Sequence, residues 1–453
     1  MSSSLPLSRR HALALGGLAA AGTLVPALPA VAASQSPRAA VQPQAREGVL
    51  AARGFLRRMT DAYPQAGNPT LPQSYADELG LFSTAFVYDA ALAVCAALAV
   101  GDFRLARTIG DGLVFAQAND PTHADGRLRQ GYNVGPYTFY DGTPNPHGLR
   151  LPDGTANIGW QFGFLGTAVG DMAWPGIALV RLYATTGDAR YRDAARRIAT
   201  WIVENATNER ALGGFTFGVN GGNERQTNAS TEHNIDCVAF FTLLQRIDKQ
   251  GDWASQAERA RAFVDQMWSG QYFYTGTNDG ATVNTAVLPL DPQTWSWLTL
   301  LEPRYVDALG WATDALGTTD SPEQEHSQLP DGLSLSGVTF SDASLRSTAS
   351  YNGIQVNPHG VWFEGSAQLA LATRTRAGNR HRQTSRTLLD NLRVAQTSLG
   401  LGQHVGGQPV SGGVVAASSV IDSGFGFGYF GVQHVGATAW YAMAEQGYNP
   451  MRF

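Results

Sequence analysis

The sequence predicts an all-α protein, a closed ring of six helical hairpins with its chemistry gathered at one mouth. Three observations lead there. Apolar segments rich in Ala, Leu and aromatics recur six times along the 453 residues, and more polar, amphipathic segments alternate with them. Most of the apolar segments also carry a carboxylate at or just before their first turn, where the free N–H groups and the positive end of the helix dipole lie.

The apolar set opens near Tyr88-Asp89 (YDAALAVCAALAV), then at Asp171 (DMAWPGIALVRLYATTGD), Glu232 (EHNIDCVAFFTLLQRI), Asp291 (DPQTWSWLTLL), Glu364 (within WFEGSAQLALATRTRAG) and His434 (HVGATAWYAMAEQG). Amphipathic partners fall at 47–63, 102–117, 189–204, 253–268 and 380–398, and the weaker pattern at 303–313 supplies the sixth. A helix apolar all round is buried and one with a single apolar stripe covers it, so such pairs bury a common core only when they stack. The turns inside the pairs are short: Gly101-Asp102, Gly187-Asp188, Gly251-Asp252 and Gly378-Asn379 each join a helix-stopping Gly to an N-capping residue. The connections from each outer helix to the next inner one are long, at 118–170, 205–231, 269–290, 316–361 and 400–433. They cluster at the inner-helix N-termini, and loops of that length in a compact domain usually carry function.

The N-terminus carries a separate signal. Ser8-Arg9-Arg10 precedes an uncharged, moderately apolar stretch ending in Ala30-Val31-Ala32, the form of a twin-arginine export signal over 1–33. Residues 34–46 read as a disordered leader and 47–453 as one domain, since no linker or charge run divides them. Losing 1–33 removes Arg9 and Arg10 and no acid, so the formal charge goes from −5 to −7. An acidic chain with Lys249 as its only lysine argues against a nucleic-acid partner, and no stretch in the mature chain is apolar enough for stable membrane insertion. The location expected is periplasmic or extracellular. Cys95 and Cys237 lie in apolar helix patterns and read as buried free thiols. With no CxxC, HExxH or EF-hand pattern, no metal and no cofactor are expected.

Three constellations carry the candidate chemistry. In Ser230-Thr231-Glu232-His233-Asn234-Ile235-Asp236, Ser230 or Thr231 can cap the helix while Glu232 and Asp236, four apart, share a face. In Leu290-Asp291-Pro292-Gln293-Thr294-Trp295, Asp291-Pro292 has the form of N-cap and N1. Trp295, Trp297 and Tyr272-Phe273-Tyr274 offer aromatic planes to sugar rings. In Asn357-Pro358-His359-Gly360-Val361-Trp362-Phe363-Glu364, Glu364 sits among aromatics, which raises a carboxyl pKa. Asp89, Asp171, Trp160, Trp362, His359 and His434 complete the substrate-binding candidates.

The alternation, the Ala-Trp and Ala-Leu inner helices, Thr186-Gly187-Asp188 and Tyr191 resemble the six-hairpin, (α/α)6-toroid glycosidase superfamily over nearly the whole mature chain. The resemblance implies carbohydrate bound in the funnel at the inner-helix N-termini. It also implies glycoside hydrolysis by an acid/base carboxylate pair with inversion: Glu232 as acid, Asp291 or Glu364 as base, and His233 and Asp236 orienting Glu232. A sugar epimerase using His359 and His434, a polysaccharide lyase drawing on Arg129 or Arg225, and a non-catalytic carbohydrate-binding toroid are the alternatives.

Overall fold

The computed structural model describes residues 43–63, 68–160, 165–376 and 378–453; the expected signal segment and residues 34–42 of the expected leader lie outside them. Among the described residues there are twelve α-helices: α1 Pro43–Thr60, α2 Val87–Ala99, α3 Phe103–Ala118, α4 Val169–Thr186, α5 Ala189–Ala206, α6 Thr231–Ile247, α7 Trp253–Gln266, α8 Asp291–Leu300, α9 Val306–Ala315, α10 Phe363–Arg374, α11 Asn379–Ser398 and α12 Val435–Gln446. The even-numbered helices are the inner set. Each packs on the next, α2 on α4, α4 on α6, α6 on α8, α8 on α10 and α10 on α12, and α12 returns to α2 to close the ring. The odd-numbered helices lie outside, and α1 serves as the outer partner of α12, so one hairpin is assembled from opposite ends of the chain. The fold is an (α/α)6 toroid. None of the described helices is long and apolar enough to cross a membrane.

Local chemistry fixes the boundaries. Gly101 and Gly187 take left-handed φ of 76° and 71°, and the next residues, Asp102 and Asp188, cap α3 and α5 by accepting from Leu105 N and Arg190 N. Asp252 caps α7 in the same way. The turn before α11 differs: Gly378 itself occupies the N-cap, without a side-chain bond, and Asn379 is the first helical residue. Helix α1 starts at Pro43, so residues 43–46 of the expected leader are helical. The weak sixth outer pattern is a 3-10 turn, Pro303–Tyr305, running into α9.

A device that the sequence did not announce repeats six times. The residue ahead of each inner helix forms an antiparallel bridge with the chain that follows the outer helix of the same hairpin: Phe86 with Gly131, Ala168 with Gly218, Ser230 with Gly276, Trp362 with Ala417, and, across the chain ends, His434 with Tyr75. The fifth case is offset by one, with Pro289 pairing Ser341. These bridges pin every inner-helix N-terminus at the same end of the ring. At the other end the tail after α12 folds under the helices. The buried Arg181 of α4 donates to the carbonyls of Asn449, Pro450 and Arg452, and Asn449 donates to the carbonyl of Leu298 in α8. Cys95 and Cys237 are buried free thiols, as expected.

Candidate active site

Three tryptophans from alternate inner helices, Trp174 of α4, Trp295 of α8 and Trp440 of α12, meet on the ring axis with centroids 5.8 to 6.1 Å apart. All three are fully buried. They occupy equivalent positions four or five residues into their helices, so the inward faces converge there. Trp295 is therefore floor packing rather than a wall for sugar. Trp297 points away, its indole N–H donating to Thr375 Oγ1 at 3.0 Å and its face covered by Arg376.

At the N-terminal end of the ring the structure collects the expected titratable groups. Asp89, Asp171, Asp291, Glu364 and His434 are all buried there, and Glu232 is partly exposed. Two clusters form. In the first, the carboxyls of Glu232 and Asp291 come within hydrogen-bonding reach. Burial pushes Glu232 well above the usual carboxylate range, and the charge of Asp291 adds to it. Burial raises Asp291 to about 7, opposed by Gln368 and by Glu232, so the shared proton rests on Glu232. Asp291 is not the cap expected: it is the first residue of α8, and Leu290 occupies the N-cap position without a side-chain bond. Ser230 does cap α6, accepting from His233 N at 3.3 Å, while Thr231 donates to the carbonyl of Tyr274.

In the second cluster Tyr88 O–H donates to Glu364 Oε1 at 2.6 Å and accepts from Trp440 Nε1–H at 3.1 Å. His434 Nε2 lies 3.2 Å from Asp89 Oδ2, its Nδ1 lies 3.6 Å from Glu364 Oε2, and its ring stacks on Tyr75 at 4.1 Å. Burial raises Glu364 to about 8 against the pull of His434. His434 is itself raised: burial lowers it, and Asp89 and Glu364 outweigh that. The clusters adjoin, because the charge of Asp291 is felt by Glu364 and by Tyr88. Asp171, raised to about 8 by burial and opposed by Gln130, stands beside Asp89.

Other expectations fare differently. Asp291 and Ser230 act on Glu232; His233 packs on Phe217 at 4.3 Å and Asp236 is fully buried. Trp362 is buried against Phe340 and Tyr429. Trp160 is 57% exposed and leans on Phe139 at 5.1 Å, within an aromatic group that includes Phe82, Tyr137 and Tyr140. His359 is exposed, its backbone engaged by Asn357 and Thr318, and it is not brought against His434. Sequence reasoning missed Tyr88, Tyr75, Gln130, Gln368 and Tyr429. Gln368 alone had a spacing signal, four residues after Glu364 on one helix.

No protein-family model matches the sequence, and no curated protein matches it. Solved structures do. The chain is similar to D-mannose isomerase (TM-score 0.57, 8% identity, covering 92% of this chain and 99% of that one) and to cellobiose 2-epimerase from Bacillus thermoamylovorans (0.55, 11%, 88% and 98%). It is also similar to a family 76 glycoside hydrolase from a bovine Bacteroides thetaiotaomicron strain (0.54, 11%, 90% and 77%). The likeness is one of fold. At such identities the toroid is shared and the chemistry has to be argued from this chain's own residues.

Proposed function

We propose that the protein is an exported glycoside hydrolase that cleaves a poly- or oligosaccharide with inversion, Glu232 acting as general acid and Glu364 as base. The observation that carries this reading is the division of the mouth into two carboxyl centres of different character. Glu232, the partly exposed one, holds a proton against ionised Asp291. Glu364 is held by a phenol donor and faces an imidazole. Asp291 is unsuited to be the base opposite Glu232, because inversion needs carboxyls roughly 6.5–9.5 Å apart to admit a sugar and a water, and these two are within hydrogen-bonding reach. In the reaction Glu364 takes a proton from water, the water oxygen bonds to the anomeric carbon, the glycosidic bond breaks, and Glu232 gives its proton to the leaving oxygen. The fold neighbours that are glycosidases support a carbohydrate substrate, and Arg9-Arg10 supports export.

The alternatives find less support. An epimerase built on His359 and His434 would need the two rings across one substrate, and His359 is exposed whereas His434 is buried among Tyr75, Asp89 and Glu364. A lyase would need a free cation for a uronate; Arg129 is committed to Asp120 and Thr122, and Arg225 to the carbonyls of Asn205 and Glu204.

A reducing-end and mass-spectrometric screen of the mature protein against bacterial, plant and fungal glycans tests the reading. Defined saturated oligosaccharides are expected, with Glu232→Gln and Glu364→Gln each lowering turnover by about 10²–10⁴-fold while glycan binding persists. Unsaturated products would replace the proposal with a lyase, and binding without any product would replace it with a binding protein. Because the base works ionised, kcat/KM should rise with pH through about 8, where Glu364 ionises, and fall only where Glu232 loses its proton.

A further inference from the structure

His434 is placed unlike a sugar ligand. It is buried, precedes α12, and has a carboxyl group at each ring nitrogen. Nε2 is 3.2 Å from both oxygens of Asp89 on α2, and Nδ1 is 3.6 Å from Glu364 Oε2 on α10. Ala437 N–H also reaches Nδ1, at 3.3 Å, so the neutral ring can accept from that backbone group and the charged ring can turn the same edge to Glu364. One face is covered by Tyr75 in a stack only 6° from parallel. Tyr88 donates to Glu364 and accepts from Trp440 Nε1–H, so its hydroxyl is held from both sides. The further titratable groups felt by Glu364 or its neighbours are Asp291 of α8, Asp171 of α4 beside Asp89, and Tyr429; burial aside, the largest influences on Glu364 and His434 come from acids, the tyrosine and each other.

We propose that Asp89, His434 and Tyr88 are positioning residues for Glu364: His434, held by Asp89, charges to balance the ionised Glu364 carboxylate, and Tyr88 fixes the orientation of that carboxylate. The proposal rests on the reading of Glu364 as base. It accounts for a carboxylate working in a buried, acid-rich mouth, where an unbalanced anion is strongly disfavoured. When Glu364 takes the proton from water, the O–H bond breaks and the proton stays on the Glu364 carboxyl; His434 remains charged against Asp89, and the proton later returns to solvent.

Two measurements test it. The first needs no substrate: in the full mature chain labelled with ¹⁵N-histidine, the His434 resonances, assigned by their loss in His434→Gln, should show an imidazolium persisting above the ordinary histidine pKa of about 6.5 and becoming neutral at lower pH in Asp89→Asn. A neutral ring throughout pH 6–8 in the unsubstituted protein overturns the proposal whether or not any glycan is cleaved. The second reads the rising limb of the kcat/KM profile on a cleaved glycan. His434→Gln should move it upward by about one pH unit or more and Tyr88→Phe by less, with KM little changed; Asp89→Asn removes both an anion that raises Glu364 and the support of His434, which oppose each other, so that variant is read on the His434 titration instead. If His434→Gln does not fold, the His434 titration in Asp89→Asn carries the test, and an imidazolium that becomes neutral at no lower pH in that folded variant overturns the proposal. Absence of cleavage with a persistent imidazolium would instead sink the hydrolase reading and leave the Asp89–His434 pair standing.

Discussion

Glu232 and Asp291 hold one proton between two carboxyls, and the titration belongs to the pair. Replacing Asp291 by Asn removes the charge that keeps Glu232 protonated, so the falling limb of the pH–rate profile should shift to lower pH while the rising limb, set by Glu364, moves much less. A limb shift of the opposite sign would show that Asp291 does not govern Glu232. The acids themselves were legible in the sequence, because each lies within a few residues of an inner-helix start, and six such starts facing one way bring them together. Their partners were not legible. Tyr88 follows an ordinary apolar valine in a buried helix, and nothing in its spacing tells that its hydroxyl crosses the ring to Glu364, 276 positions along the chain. Asp291 misled because Asp-Pro has the pattern of a cap, whereas the helix starts one residue earlier than that pattern implies. His359 misled because polar loop residues close in sequence to a buried carboxylate such as Glu364 need not share its surroundings.

Elements set where those residues sit, and the bridge ahead of each inner helix is the part most exposed to a single substitution. Gly276 holds φ at 145°, and a Cβ there would lie 2.1 Å from the carbonyl oxygen of Ala229; Gly218, at 125°, would place one 2.1 Å from that of Thr167. Gly276→Ala should therefore destabilise the start of α6 by roughly 1–3 kcal/mol and lower activity through Glu232, as read by thermal melting beside kcat. Gly54→Ala is the contrasting case: Gly54 lies inside α1 with nothing near its would-be Cβ, and the exchange should stabilise by about 0.5–1 kcal/mol. Inner and outer helices were readable because apolar-all-round and one-stripe patterns differ over a dozen residues or more. The bridges were not, since a pairing one to three residues long has no periodicity to detect.

At the scale of the whole molecule, gathering acids in a buried mouth opposes stability in a definite pH window. Asp171 and Glu364 are raised to about 8 and Asp291 to about 7 by burial, while the unfolded chain ionises them near 4. Between those values the folded protein binds more protons than the unfolded one, so stability falls as pH rises from about 4 to 8. The ion-paired Asp102 and Asp120, lowered to about 2 by their arginines, act in the opposite sense, and their contribution is lost only as pH falls below about 4. Tm should thus be highest on the acidic side of neutrality, and Asp171→Asn should raise it at pH 8 relative to pH 5; a Tm that climbs steadily to pH 8 would contradict this account.

Arg181 and the tail it gathers close the far end of the ring, and the three tryptophans fill its axis. The acids accordingly sit in a blind alley rather than a tunnel. On the proposed reading a glycan could not thread through and be clipped as it slides; whatever entered would have to back out by the same door, and leaving fragments would compete with arriving ones for a single threshold.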